Sequence, residues 1–317
     1  MFPGSPSPAE AMLLIRRAPA RLVAVAAVAL VATVLAGWDK HEDRSRGLHP
    51  QPAFYLTAAN HTDLKRQAYA AGARFARTQG PGRSVLVLDF GAARLRRNGT
   101  YGAALRSGTF FSNKEIHDAL QAAARGLKDH HRRGRVTIVY ATSNSYLGWP
   151  GRRYRAFDAH TARKAGKRQA KAVAGLRLSR HQSASVGGDI EPSFDRVGSP
   201  EVSLALVAGA DSILREPYFD VGTAPCEGHS CKNGWTPRDI CKVASGRGRV
   251  VLPEIYFDRP PIDQPQQWAE MKKRCEIGRF AGVSANRIGK FSPRESWDEL
   301  RSKTRARVDP VIVVWPG

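Results

Sequence analysis

One repeating pattern constrains the fold of this chain most: apolar runs of strand length alternate with segments that carry helix start signals. Runs at residues 84–91, 135–142 and 249–257 are each followed by a loop and then by a helical segment. Residues 112–115, Ser-Asn-Lys-Glu, form a capping box that predicts the start of one of these helices. The runs are continuously apolar, as strands are when both faces are covered. This order implies parallel strands joined by helical crossovers.

Eight strand candidates are present, six of them clear and two weak. The weak ones are at residues 54–56 and 218–221, and the last clear one is at residues 310–315. This number favours an α/β fold of the (β/α)8 type, a TIM-like barrel of regular or irregular form, over an open Rossmann sheet. No Gly-x-Gly-x-x-Gly follows the first strand candidate and no P-loop motif occurs, so we expect no nucleotide site and no cofactor.

The N-terminal part of the chain has the composition of an export segment. Residues 22–37 are continuously apolar, basic residues precede them, and charged residues follow. The run is shorter than the roughly 20 residues of a membrane span. We predict a signal peptide or an uncleaved membrane anchor at residues 1–38, a polar linker at 39–52 and a single barrel domain at 53–317, with the body outside the cell. The alternative is a cytosolic protein with an apolar core helix near its N terminus.

The charge of the chain is strongly positive. It has 50 lysines and arginines against 28 acidic residues, a formal net charge of +22. This balance favours anionic surroundings, such as a cell-envelope polymer or lipid head groups. The alternative is that the arginines only solvate the surface. No nucleic-acid motif accompanies the charge, so we expect a glycan or an anionic cell-envelope polymer as partner, and the membrane if the leader stays attached.

One short stretch places two acids at a strand end. Residues 186–192 read Val-Gly-Gly-Asp-Ile-Glu-Pro. Because strand side chains alternate, Asp189 and Glu191 point the same way, about 6.6 Å apart along the strand. Pro192 cannot continue a ladder, so the strand stops there. In a parallel barrel the C-terminal strand ends form the functional face, although an ordinary strand end can look the same.

Several carboxylates at one barrel rim are what glycoside hydrolysis requires. One acid protonates the leaving oxygen, and another attacks the sugar or activates water. We predict Glu191 as the proton donor, since the like charge of Asp189 favours a proton on it, with Asp189 stabilising positive charge on the sugar and Glu254 as the second carboxylate. The predicted substrate-binding residues are Asp89, Tyr256, Asn286 and Trp315. Each acid could instead cap a helix or pair with an arginine.

The chain has four cysteines: Cys226, Cys231, Cys241 and Cys275. An even number in an exported chain predicts two disulfides, for which three connectivities are possible. In one of them, the first two cysteines close a small loop and the last two tie neighbouring helices. A zinc site that includes His229 is the alternative, but no Cys-x-x-Cys occurs, so we predict no metal.

A set of motifs resembles a group of exported actinobacterial proteins that are regarded as glycoside-hydrolase-like barrels. The resemblance covers roughly residues 80–300 in order. It is carried by Val-Leu-Asp-Phe-Gly (87–91), Gly-Asp-Ile-Glu-Pro-Ser (188–193), Cys-Lys-Asn-Gly-Trp-Thr (231–236), Leu-Pro-Glu-Ile-Tyr (252–256) and Gln-Trp-Ala (267–269). The resemblance implies a carbohydrate-active barrel that is secreted or held at the outer face of the membrane.

The segment Asp189-Ile-Glu191 is also similar to the Asp-x-Glu strand of the family 25 muramidases, whose remaining pattern is not evident. Our first hypothesis is an exported glycoside-hydrolase-like protein that cleaves a cell-envelope or environmental glycan by carboxylate acid/base catalysis. The second is a non-catalytic barrel that binds an anionic cell-wall polymer.

Overall fold

The computed structural model of the chain describes residues 48–316, apart from residues 81, 131–133, 195, 225, 228–229, 247 and 260–261. The predicted leader and most of the predicted linker lie outside these residues. None of the described helices is both long and apolar enough to cross a membrane.

Eight barrel strands alternate with seven helices in the described part of the chain. Shorter strands also occur, among them Tyr101–Ala104 and Phe110–Ser112, which extend antiparallel from the strand Arg83–Arg96. The strands are β1 (His49–Pro52, continued at Phe54–Tyr55), β2 (Arg83–Arg96), β3 (Arg135–Ser143), β4 (Gln182–Asp189), β5 (Tyr218–Asp220), β6 (Arg249–Val251), β7 (Val283–Asn286) and β8 (Val311–Trp315). The helices are α1 (His61–Thr78), α2 (Asn113–His130), α3 (Ala159–Ala174), α4 (Pro200–Asp211), α5 (Pro237–Ala244), α6 (Gln264–Cys275) and α7 (Pro293–Thr304).

The eight strands lie in barrel order as parallel neighbours, with a ladder at every junction except that of β6 and β7. β1 pairs with β8 and β2, the pairing runs on from β2 through β6, and β7 pairs with β8. Backbone bonds join β6 to β7: Ala281 N donates to Val251 O over 2.8 Å, and Ser284 N donates to Pro253 O over 2.8 Å. The predicted (β/α)8 barrel is therefore confirmed, with an irregular junction between β6 and β7.

The first strand begins inside the stretch that was predicted as linker. Residues 49–52 pair in register with residues 311–314 of β8. Pro50 and Pro52 suggested a linker because proline cannot donate to a ladder. The side chain of Gln51 makes up part of this loss: its Oε1 accepts from Val85 N over 3.0 Å, and its Nε2 donates to Ser84 Oγ over 3.0 Å. The linker prediction for residues 49–52 was thus wrong.

Alternation along the strands divides the core into two layers. In β2, Val85 and Val87 belong to the cluster inside the barrel, whereas Leu86 and Leu88 pack in the layer under the helices. Strand geometry then turns Asp89, the next residue in the inward series, toward the barrel axis. The same alternation puts Asp189 on the inner face of β4, because Val186 packs outward.

The helix start signals form the caps that the sequence predicts. At α2, Glu115 N donates to Ser112 Oγ over 3.3 Å, and Glu115 Oε2 accepts from Ser112 N over 2.8 Å. α5 and α7 begin with the same reciprocal arrangement at Thr236 and Ser292. Each cap satisfies backbone donors that a helix start leaves unpaired.

All four cysteines form disulfides. Cys226 bonds to Cys231 within one small loop, and Cys241 of α5 bonds to Cys275 at the end of α6. The prediction of two disulfides is confirmed, in the connectivity that closes a small loop and ties neighbouring helices. Because these thiols are consumed, they are not available as zinc ligands; His229 lies outside the described residues.

Candidate active site

Three carboxylates meet at the C-terminal mouth of the barrel. Asp189 is the last residue of β4, Glu191 follows two residues later, and Glu254 follows β6. One oxygen atom of each lies within 4.8 Å of the others. The structure thus brings together the three residues predicted as catalytic, whereas their catalytic role stays a prediction.

Two glycines allow the neighbouring strand to approach Asp189 closely. A Cβ on Gly188 would lie 2.2 Å from the hydroxyl of Tyr218, and one on Gly187 would lie 2.8 Å from Phe219 O. Any larger residue would therefore push β5 away from β4. The Gly-Gly pair before Asp189 is needed for this packing.

Asn144 fixes the backbone of Glu191. Its Oδ1 accepts from Glu191 N over 3.0 Å, and its Nδ2 donates to Glu191 O over 3.2 Å and to Ser203 Oγ over 3.2 Å. Asn144 is fully buried at the end of β3. Because the strand itself ends at Asp189, these two bonds position Glu191 beyond the ladder.

The side chain of Glu191 accepts two hydrogen bonds. Ser193 Oγ donates to Oε2 over 2.8 Å, and Thr223 N donates to Oε1 over 3.1 Å. Glu191 is therefore oriented from two sides as an acceptor.

The surroundings of Glu254 perturb its pKa. Burial raises its pKa well above the usual range, and the nearby Glu191 raises the pKa further through its charge and through a hydrogen bond between the two carboxyl groups. Tyr256 donates its hydroxyl hydrogen to Glu254 Oε1 over 2.7 Å and opposes this effect. Glu254 therefore favours its protonated form.

Asp189 is surrounded by four other acidic residues. Burial raises its pKa well above the usual range, and the charges of Glu191, Glu254, Asp89 and Asp220 raise that pKa further. Within the described part of the chain, Asp189 Oδ1 has no hydrogen-bond partner. Two adjacent carboxylates cannot both stay ionised in such a site, so Asp189 also favours its protonated form.

Asp89 ends the inward series of β2 at the same mouth. Gly91, whose φ is 74°, donates its N–H to Asp89 Oδ1 over 2.8 Å. Burial raises the pKa of Asp89 to about 6, although this N–H and the charge of Arg106 act in the opposite direction. Asp89 thus remains part of the acidic wall, with a bulge after it that bends the strand.

Asp220 ends β5 but faces away from the barrel interior. Its neighbours Phe219 and Val221 belong to the inner cluster, so alternation turns Asp220 outward. Burial raises the pKa of Asp220 to about 8. It is a buried acid behind the mouth rather than part of it.

Two of the predicted substrate-binding residues, Trp315 and Asn286, bond to neighbouring groups of the protein. Trp315 is only 3% exposed, stacks on Tyr55 with ring centroids 4.6 Å apart, and donates its Nε1 hydrogen to Ser284 Oγ over 2.7 Å. Asn286 accepts from Ile288 N over 3.0 Å and lines a separate cavity of about 450 Å³. Tyr55 covers the indole and a turn engages the amide, and substrate contact by these two residues stays a prediction.

A cleft of about 470 Å³ opens beside the acids. Asp89 and Asp189 line it together with Tyr146 and Trp149, whose side chains are 38% and 39% exposed. Such part-exposed rings can stack on the apolar face of a sugar. The cleft therefore combines an acidic wall with an aromatic one.

Sequence reasoning missed Arg94, which supports this aromatic wall. The residue is 4% exposed, donates Nη1–H to Tyr146 O over 2.6 Å, and lies over the Tyr154 ring at 4.2 Å from the centroid. Burial lowers the pKa of Arg94. No local motif marks this arginine, because its partners come from a loop more than fifty residues away.

The three clustered carboxylates could also hold a divalent cation. Oxygen ligands alone are the set that Mg²⁺ and Ca²⁺ prefer, whereas zinc favours nitrogen and sulfur. The donor set therefore fits a hard cation, in contrast to the sequence-based expectation of no metal.

Comparison with known proteins gives only remote likeness. No family model matches the chain, and no curated protein matches it significantly. Matching solved structures include a sugar phosphate isomerase/epimerase from Parabacteroides distasonis (TM-score 0.45, 12% identity, 84% of this chain and 85% of that one). Others are a fungal β-1,4-galactanase (0.35, 13%, 84% and 62%) and a GH26 β-mannanase from Bacteroides ovatus (0.32, 11%, 80% and 85%). None of these comparisons supports the actinobacterial group or the family 25 muramidases.

Proposed function

We propose that this protein is a glycoside-hydrolase-like enzyme that cleaves a glycan by carboxylate acid/base catalysis. The observation that carries the proposal is the convergence of Asp189, Glu191 and Glu254 within 4.8 Å at the mouth of a parallel barrel, where burial and the charge of Glu191 raise the pKa of Glu254. A protonated acid beside an ionised one is the arrangement that glycosidic bond cleavage uses.

The hydrogen bonds favour a division of roles that differs from the sequence-based one. Glu254, whose pKa is raised, is the proton donor to the leaving oxygen. Glu191, which accepts from Ser193 and Thr223, is the carboxylate that attacks the sugar. A separation within 4.8 Å between carboxyl oxygens is shorter than the roughly 6.5–9.5 Å between the carboxyl groups of inverting enzymes, so we propose retention of configuration through a glycosyl ester on Glu191 that water then hydrolyses.

The surrounding residues fit a sugar ring. Protonated Asp189 donates to a substrate hydroxyl, since its Oδ1 has no partner among the described residues. Tyr146 and Trp149 offer ring faces at the cleft for stacking. Asp89 and Tyr256 contact the substrate or orient the acids. No cofactor enters this mechanism.

Export and the substrate class are part of the proposal. Two disulfides are compatible with an oxidising compartment, and the net charge of +22 favours an anionic cell-envelope or environmental glycan. We propose that residues 1–38 act as signal peptide or membrane anchor, so that the barrel is secreted or held at the extracellular face.

The test is a cleavage screen with the purified protein against peptidoglycan and polysaccharides. We expect reducing ends to appear with the wild type and to be lost in Glu191→Gln and Glu254→Gln, with circular dichroism unchanged. Glu201→Gln, at an exposed position on α4, is the matched control and should keep full activity. A wild type that cleaves none of these substrates, or active Glu191→Gln and Glu254→Gln variants, would contradict the proposal.

A second candidate function is non-catalytic binding of an anionic cell-wall polymer through the basic surface, favoured by the net charge. It predicts salt-sensitive binding that Glu191→Gln leaves intact and no release of sugar by any variant.

A further inference from the structure

A second cavity lies at the opposite, N-terminal end of the barrel. Its volume is about 640 Å³. The ends of six strands contribute to its walls, and the charged residues there are Arg83, Arg135, Arg180, Glu216, Arg249, Arg279 and Asp309. Positive groups outnumber negative ones, the reverse of the acidic C-terminal mouth.

Two of these arginines are direct neighbours in the sheet. Arg83 is the first residue of β2, Arg135 is the first residue of β3, and the two are paired in register. Arg83 shares the inner face with Val85, and Arg135 shares it with Thr137, so both point toward the barrel axis. Like charges directly opposite on neighbouring strands are unfavourable unless something neutralises them.

The cavity has two acids, Glu216 and Asp309, and Asp309 pairs with Arg279. Arg249 donates its Nε hydrogen over 2.8 Å to Asp211 Oδ2, which is not part of the cavity lining. Among the ion pairs of the described residues, none includes Arg83 or Arg135. The positive charge of this pair is therefore left without a protein counter-ion in the described part of the chain.

We propose that the Arg83–Arg135 pair is a binding site for phosphate groups. The guanidinium fork binds phosphate oxygens in pairs, and a dianion neutralises two adjacent arginines. The hydroxyl groups of Thr137 and Ser183, which bond to each other over 3.0 Å, line the same cavity. The ligand is either a free polyphosphate or the phosphate backbone of a polymer.

This site does not rest on the proposed hydrolase. Arg83 and Asp89 are six residues apart on β2, which places the two ends about 20 Å from each other. A phosphate site there is independent of the acids at the other mouth, so Glu191→Gln should bind phosphate as the wild type does.

The test is calorimetric titration of the full protein with tripolyphosphate at low ionic strength. We expect binding by the wild type and a loss of about tenfold or more in Arg83→Gln/Arg135→Gln, because each charge-assisted bond to phosphate is removed. The matched control is Lys164→Gln/Lys167→Gln, which removes the same charge from exposed positions on α3. It should change the affinity by less than about twofold, since exposed distant charges are screened.

Titrations with other ligands show which kind of phosphate compound binds and whether binding is specific for phosphate. Tighter binding of long-chain polyphosphate, lost in the arginine variant, supports a polymer ligand, whereas equal affinity per molecule supports a small phosphate. No binding of tripolyphosphate, an equal loss in the lysine control, or equally tight binding of citrate would overturn the proposal. Unchanged circular dichroism of the variants excludes unfolding as the cause.

Discussion

Tyr256 donates its phenolic hydrogen to Glu254 Oε1 over 2.7 Å. This bond lowers the pKa of Glu254, whereas burial and the charge of Glu191 raise it. The phenol therefore tunes the group that we propose as proton donor. Its removal gives the first prediction.

Tyr256→Phe should shift the basic limb of the pH–rate profile to higher pH. Without the phenolic hydrogen bond, the pKa of Glu254 rises further, and the donor keeps its proton to higher pH. We expect kcat to fall by about tenfold or more, as for loss of an oriented acid. The measurement is kcat/KM against pH for the hydrolysed glycan. Tyr69→Phe removes a similar bond to Asp129 at an exposed site and should leave the profile unchanged; a matching shift in both variants would refute the role of Tyr256.

Asp220→Asn should flatten the pH dependence of stability. Burial raises the pKa of Asp220 from 3.8 to about 8, so the folded form holds this proton more tightly than the unfolded chain. The cost of ionising it is absent below about pH 4, grows as the pH rises, and is complete above about pH 8.

The wild type should therefore lose unfolding free energy between about pH 4 and about pH 8, by about 1.4 kcal/mol for each pH unit, and the variant should lose less. Denaturant unfolding across this range measures the slopes, which do not depend on the packing cost of asparagine. Glu201→Gln is the control. Equal slopes for wild type and Asp220→Asn would rule out a raised pKa at this position.

Removal of divalent cations should leave glycan cleavage unchanged. The proposed mechanism needs a proton on Glu254, and a cation held by Asp189, Glu191 and Glu254 would displace it. We expect full activity in excess EDTA and a lower rate on addition of Mn²⁺ or Mg²⁺. Activity that disappears in EDTA and returns with Mn²⁺ would instead identify the three carboxylates as metal ligands.

The two disulfides should differ in their contributions to stability. Cys241–Cys275 closes a sequence separation of 34 residues, and Cys226–Cys231 closes one of 5. Because the longer loop restricts the unfolded chain more, the paired serine variant of Cys241 and Cys275 should lose about 4 kcal/mol, against about 2 kcal/mol for the other pair. Urea unfolding of both double variants measures this; the reverse order would show that native-state contacts, rather than loop length, set the contributions.

The barrel was predictable because its signals are local. Apolar runs, capping boxes such as residues 112–115, and prolines at helix starts each lie within one element. The site of Asp189, Glu191 and Glu254 was also predictable, because each acid follows a strand and the strand ends of a parallel barrel share one face.

The parts that were not predictable depend on contacts between distant segments. The strand at residues 49–52 requires the side chain of Gln51 in place of ladder donors, and no sequence pattern shows that exchange. Arg94 reaches a loop beyond β3, and the exposure of Trp315 is decided by the ring of Tyr55 from the first strand. The orientation of Asp220 depends on one step of alternation in a three-residue strand.

The pairing of β1 with β8 joins segments about 260 positions apart, and β1 also pairs with β2. During synthesis, the strand that pairs with His49–Pro52 is missing until Val311–Trp315 has been made. Until then, unpaired backbone groups remain on both sides of the gap and are open to association with other chains. We therefore expect the pairing of β1 with β8 to be a slow and late step of folding, after which these backbone groups no longer promote aggregation.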